Sequence, residues 1–187
     1  MAGVDEVGRG AWAGPLGVGV VILDPARLPA GLADSKLLSA QQRERLAGRI
    51  AGSALGVSVG YCQAQECDLL GMAGALRLAA ARALANLQPA PDVVLVDGAS
   101  DFVADGRSRA VVDGDASSVS IAAASIVAKV CRDAVMSWLG RDYPDFDFAS
   151  NKGYGSRRHE MALRRLGPTP LHRMSWSYLD RLGIRGT

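Results

Sequence analysis

Four acidic positions carry the chemistry this chain could do. Asp5 and Glu6 are adjacent near its start, and Asp97 ends the apolar run Val93-Val94-Leu95-Val96. Asp115 follows Asp113-Gly114, just ahead of a long Ala-rich segment. Carboxylates gathered at one place repel each other and require a compensating cation. Hard oxygen donors suit Mg²⁺ or Mn²⁺. A carboxylate at the carboxyl end of a buried strand stands where α/β sheets hold their ligands. Each acid also has a plainer reading. Asp97-Gly98 and Asp113-Gly114-Asp115 are turn-like, Asp115 would suit the positive end of a following helix, and Asp5-Glu6 could be a solvated pair.

Gly8-Arg9-Gly10 follows the first acidic pair. Two glycines around an arginine let backbone N–H groups approach a phosphate or sugar closely. The third glycine of a dinucleotide fingerprint is displaced, and no helix pattern follows; a tight turn between strands is the alternative. Basic and aromatic residues interleave from Asn151 to His159, where Tyr154 sits between Gly153 and Gly155. A ring so placed can meet a base or sugar while Lys152, Arg157 and Arg158 meet phosphates. It could equally anchor a solvated helix start. Arg164, Arg165, His172 and Arg173 extend the positive character, and Met174-Ser175-Trp176 reads as packing. Lys129 and Asp133 are spaced as a surface ion pair on a helix. Arg132 receives no role, and no Ser/His/Asp or Cys/His nucleophile arrangement stands out.

The elements that must position these residues follow from periodicity. Residues 16–23 read as a buried strand, Ser39–Ile50 as a helix opened by a Ser39/Gln42 capping box, and 54–61 as a strand. A helix over 72–88 carries an apolar face and ends at Gln88-Pro89-Ala90-Pro91. The short apolar strand 93–96 predicts parallel pairing in a covered sheet, with another strand at 109–112. A long helix from Ser117 to Leu139 is apolar on nearly every side at Ile121–Ala128, and so predicts burial. A further helix is expected over 156–166. This order argues for a layered α/β or α+β domain.

The chain has 187 residues, with 21 Lys+Arg against 19 Asp+Glu. The near balance excludes a bulk cationic binder of nucleic acid, though not a local basic groove. Cys62, Cys67 and Cys131 form no Cys-x-x-Cys, which argues against structural zinc and for a reducing, cytoplasmic setting. No membrane span is expected.

Taken in order, the segments resemble the bacterial ribonuclease HII family. They are Gly3-Val-Asp-Glu-Val-Gly-Arg-Gly10, Asp34-Ser35-Lys36, Val96-Asp97-Gly98, Gly114-Asp115, Ile121–Lys129 with Arg132-Asp133, and Lys152-Gly153-Tyr154. The resemblance spans about residues 2 to 177. It implies an RNase H-like fold, a five-stranded mixed sheet flanked by helices, as a catalytic domain over 1–140. A helical extension over 141–187 would help bind nucleic acid as part of one compact unit. The implied activity is cleavage of RNA in RNA–DNA hybrids and on the 5′ side of single ribonucleotides in duplex DNA. Two divalent ions, Mg²⁺ or Mn²⁺, would act about 4 Å apart, leaving 3′-hydroxyl and 5′-phosphate ends. Asp5, Glu6, Asp97 and Asp115 match the family's metal-binding catalytic carboxylates. Gly8, Arg9 and Gly10 match the loop that senses the ribose 2′-OH, and Tyr154 the tyrosine that stacks on the adjoining deoxyribose. Lys36 and Lys152 match phosphate contacts. The substrate partner is thus a hybrid or ribonucleotide-containing duplex, with no membrane, and the protein is expected to be a monomer.

Departures from the family pattern carry their own expectations. Asp113 replaces a lysine, which adds negative charge near the metals. Asp68-Leu69-Leu70 replaces Asn-Ile-Leu, so an amide contact is lost. Trp12-Ala13 replaces Pro-Leu. The brief lead-in predicts a short first strand, with Met1 as a truncated or misassigned start. Two competing readings are a non-catalytic hybrid-binding module and a junction-resolving nuclease on the same fold.

Overall fold

The computed structural model describes residues 1–32 and 38–184. At its centre is strand β1 (Ala2–Val7), six residues long. Strand β2 (Leu16–Ile22) returns antiparallel to it, with Asp5 opposite Gly19, and β3 (Gly56–Cys62) adds antiparallel to β2. On the other side β4 (Val94–Asp97) lies parallel to β1, and β5 (Ser108–Val111) parallel to β4. The sheet order is β3-β2-β1-β4-β5, the expected five-stranded mixed sheet.

Strand alternation divides the core. Val4, Val18, Val20, Val94 and Val96 face α2 (Ala64–Ala85). On the other face Val21 packs with α1 (Ala40–Ser53) and α4 (Val119–Leu139). Helix α4 lies directly on the strand backbones. A methyl at Gly3 would stand 2.1 Å from the Ser120 carbonyl carbon, and one at Gly19 would stand 2.7 Å from the Ala124 oxygen. That close approach lets α4 side chains reach the end of β1.

Helix α1 opens at the predicted box: Ser39 Oγ accepts the Gln42 N–H at 3.3 Å, and Gln42 Oε1 accepts the Ser39 N–H at 2.8 Å. The helix expected over 72–88 is the second part of α2. Its first part begins at Ala64 behind a Gln63/Glu66 capping box, and Gly71 (φ 65°, ψ 177°) kinks the two apart. That short first part is too polar to print a helical stripe. The helix expected from Ser117 is two elements. A turn, α3 (Gly114–Ser117), follows Asp113 in the left-handed region (φ 50°), and extended Ser118 separates it from α4.

Beyond α4 come a 3₁₀ turn (Pro144–Phe146), α5 (Phe148–Asn151), α6 (Arg157–Leu166) and α7 (Tyr178–Arg181). Phe146, Phe148, Leu163, Tyr178 and Leu179 bury against Ala13 and Met136, with Trp12 packed beside them. This segment therefore closes over the β1–β2 loop. No described helix is long and apolar enough to cross a membrane.

Candidate active site

The register of β1 on β4 brings two of the four acids together. Val4 pairs with Val96 on parallel strands, so the next residues, Asp5 and Asp97, stand side by side on the α4 face. Asp5 is buried; its Oδ1 accepts the Glu6 N–H at 2.7 Å. Burial is the main cause that pushes its carboxyl from 3.8 up to about 7; the negative charges of Glu6 and Asp97 add to it, against a hydrogen bond from Ser125 of α4. Asp97 Oδ1 accepts the Asp115 N–H at 3.2 Å, which ties α3 and its acid to the strand end. Gly114 makes this possible, since a methyl there would stand 3.0 Å from Asp97 Oδ1.

Glu6 lines the depressions on both sides of the strand ends. One, about 350 Å³, also holds Gly8, Arg9, Gly10, Ser125, Lys129 and Tyr154. The other, about 480 Å³, holds Arg77, Asp97 and Asp101, with Arg9 shared between them. Glu6 and Arg9 are 3.5 Å apart at the surface, a weak pairing. Among the described residues no three acidic, histidine or cysteine side chains converge as a finished metal cage. What the site offers is an all-oxygen donor set whose mutual repulsion falls on a buried acid. A hard divalent cation would neutralise that field, so the residues fit one.

The glycine loop is held from beneath by two buried arginines. Gly8 adopts φ +82°, and a methyl on it would stand 2.1 Å from Arg132 Nε. Arg132 Nε donates to the Pro15 carbonyl at 2.8 Å, Nη2 to that of Ala13 at 3.2 Å, and Nη1 to that of Lys152 at 2.9 Å. Arg173 Nη1 donates to the Arg9 carbonyl at 3.1 Å, while its Nε and Nη2 donate to that of Gly14 at 3.2 and 3.1 Å. His172 and Arg173, which by sequence only extend the positive character of the C-terminal segment, are both buried. Arg132 is fully buried although it follows the apolar stretch Ile121–Ala128 and stands between Lys129 and Asp133, a charged neighbourhood that gave no local sign of its burial. Ser125, Arg43 and Arg77 were also missed.

Tyr154 is exposed at one face, with the Arg132 guanidinium 5.4 Å from its ring centre at the other. Lys152 Nζ donates to Ser137 Oγ and to the Ala149 carbonyl, each at 2.6 Å. It lines a neighbouring groove with Arg43 and Lys129. Lys129 pairs with Asp133 at 2.7 Å as expected. Asp113 is exposed. Lys36, with Asp34 and Ser35, lies outside the described residues.

A mixed sheet of this order, helices on both faces and acids at the ends of adjacent central strands define a protein of the RNase H-like class. Within that class the chain belongs to the Ribonuclease HII family, whose sequence model matches residues 2–179. It is 50% identical over 183 residues to the ribonuclease HII of Streptomyces coelicolor, which covers 97% of this chain and 78% of that protein. It is 44% identical over 185 residues to that of Thermus thermophilus, covering 99% and 90%. The solved ribonuclease H2 of Pyrococcus horikoshii superposes with a TM-score of 0.81 at 28% identity, over 98% of this chain and 97% of that one. A ribonuclease HIII (Bst) solved with Mn²⁺ shares the fold at a TM-score of 0.76 and 20% identity, over 97% of this chain and 68% of that one. The chain is thus an enzyme, a ribonuclease H of type II.

Proposed function

We propose that this chain cleaves RNA in RNA–DNA hybrids and cuts duplex DNA on the 5′ side of single embedded ribonucleotides. The cut leaves 3′-hydroxyl and 5′-phosphate ends, and the role is ribonucleotide removal from DNA. The observation that carries this is one groove in which Glu6, the Gly8–Gly10 loop and Tyr154 share a wall, beside Asp5. Asp5, Glu6, Asp97 and Asp115 would hold two divalent ions, Mg²⁺ or Mn²⁺. Such ions, when bound, supply an activated water and offset charge on the leaving oxygen. The Mn²⁺ in the ribonuclease HIII relative supports the choice of cation.

The chain's own residues do the reading. Gly8 and Gly10 leave the backbone around Arg9 free of side chains, so it can approach the ribose. The 2′-OH is what separates RNA from DNA at one nucleotide. The exposed face of Tyr154 stacks on the adjoining deoxyribose. Lys36 and Lys152 contact phosphates; Lys152 uses two of its three N–H donors internally and keeps one for that contact. The 141–187 segment thereby supplies part of the nucleic-acid surface of a monomer.

The test is cleavage of a duplex with one ribonucleotide against an all-DNA branched junction, with Mg²⁺ and the cut position mapped. Incision 5′ to the ribonucleotide is expected. A cut on its 3′ side, or equal cleavage of the junction, overturns the reading.

A further inference from the structure

We infer that Arg132 is a positioning residue that fixes the spacing between the Gly8–Gly10 loop and Tyr154, and thereby the preference for an RNA–DNA junction. The inference rests on the proposed roles of that loop and that tyrosine. Arg132 rises from α4 beneath both. Its Nε and Nη2 bind the Pro15 and Ala13 carbonyls of the β1–β2 loop, at 2.8 and 3.2 Å. Its Nη1 binds the Lys152 carbonyl at 2.9 Å, two residues before Tyr154, and the Tyr154 ring lies over the guanidinium. The stem fills the space that a side chain at Gly8 would need.

Two backbone bonds already join the segments, from the Trp12 and Ala13 N–H groups to the Gly153 carbonyl at 2.8 and 3.1 Å. Those bonds lie at Gly153. Arg132 adds the link on the side that carries Gly8 and the tyrosine ring. Among the described residues no carboxylate hydrogen-bonds to it; its partners are carbonyls. A buried cation without an anionic partner is costly, and an apolar side chain would fill the volume with less desolvation. An apolar side chain could not hold three carbonyls from two distant segments in one plane. A lysine could not either, because only the guanidinium presents donors in a rigid fork.

The test compares kcat and KM of the full chain with Mg²⁺ on a single-ribonucleotide duplex and on a long RNA–DNA hybrid. A deoxyribose adjoins the cut in the first substrate only, so the ratio of the two activities reports the junction reading. Tyr154→Ala should lower that ratio; if it does not, the reading of the groove fails, whatever Arg132 does. Arg132→Lys keeps the charge and loses the fork. It should lower the ratio roughly tenfold, and by almost nothing further in a Tyr154→Ala background, as groups acting in one network behave. An equal loss on both substrates, or additive effects, overturns the inference. Should Arg132→Lys not fold, the Arg132 Nε–H resonance of the Asp97→Asn protein decides. It should shift with the ribonucleotide duplex and not with an all-DNA duplex; equal shifts, or none, overturn the inference.

Discussion

His172 Nε2 lies 3.0 Å from His159 Nε2, with Trp12, Phe146 and Phe148 around the pair. Their outer nitrogens set the tautomers. His172 Nδ1 accepts the Thr169 N–H at 2.9 Å, so its Nε2 carries hydrogen and donates to His159 Nε2. His159 Nδ1 then donates to the Tyr154 carbonyl at 2.9 Å. A chain of hydrogen bonds therefore ends on the backbone of the tyrosine assigned to the substrate. A further proton on either ring would set N–H against N–H.

Acid should loosen this pair. Burial holds both imidazoles below their ordinary value, and the neighbouring His159 helps push His172 down to about 3. A group whose folded pKa is depressed contributes stability that is complete above its unfolded value, about 6.5, and is lost as pH falls toward the folded one. Asp5, with its raised pKa, titrates with the opposite sign. The quantity to measure is therefore the difference in melting temperature between wild type and His172→Gln. It should be largest above about pH 7, worth about 1–3 kcal/mol there, and shrink on acidification. A difference independent of pH would mean the pair is not held neutral.

Asp97→Asn should cut Mg²⁺-dependent cleavage by about 10²–10³-fold, the scale seen when a charge-stabilising group is removed from a site. Folding should survive, because an amide oxygen can still accept the Asp115 N–H that Asp97 Oδ1 receives at 3.2 Å. Circular dichroism and a cleavage assay on the same sample check both halves. Retained activity would remove Asp97 from the site.

What could be read from the sequence divides along local and distant causes. The Ser39/Gln42 box and the run before Asp97 are signals within a few residues, and both elements appear where expected. The types of the four acids were visible, but that Asp5 stands beside Asp97 depends on the register of β1 on β4. Arg173 read only as one more positive charge of the C-terminal segment because its carbonyl partners, Arg9 and Gly14, lie 164 and 159 residues away. Burial of such a charge is a tertiary fact that no periodicity records. Asp68 is a similar case. Its departure from the family's asparagine implies only that an amide contact to the backbone is lost; that its carboxylate accepts the Met174 and Ser175 N–H groups at 2.8 Å each, 106 and 107 residues away, is visible in the fold alone.

That carboxylate uses both oxygens, so restoring an amide should weaken the joint. In Asp68→Asn one oxygen becomes an NH₂ that faces a backbone N–H. The expected loss is about 0.5–1.5 kcal/mol, one ordinary hydrogen bond. Urea denaturation at constant slope checks it. An unchanged or more stable variant would mean that the Asp68 contacts do not hold the C-terminal segment to α2.

Metal binding should release a proton from Asp5. With its carboxyl at about 7, the acid is close to half protonated at that pH. A cation needs the ionised form, so Mg²⁺ must displace the remaining proton. The sign fixes the trend: release approaches one proton per site well below the raised pKa and vanishes well above it, so it falls as pH rises through about 7. Calorimetric titration with Mg²⁺ in two buffers of different ionisation enthalpy counts the protons directly. Asp5→Asn should eliminate the pH-dependent part, whereas Asp101→Asn, beyond the strand ends, should leave it in place. Release that does not vary between about pH 6 and 8.5 would separate Asp5 from the cation, since a buried acid near neutrality that binds metal cannot avoid this exchange.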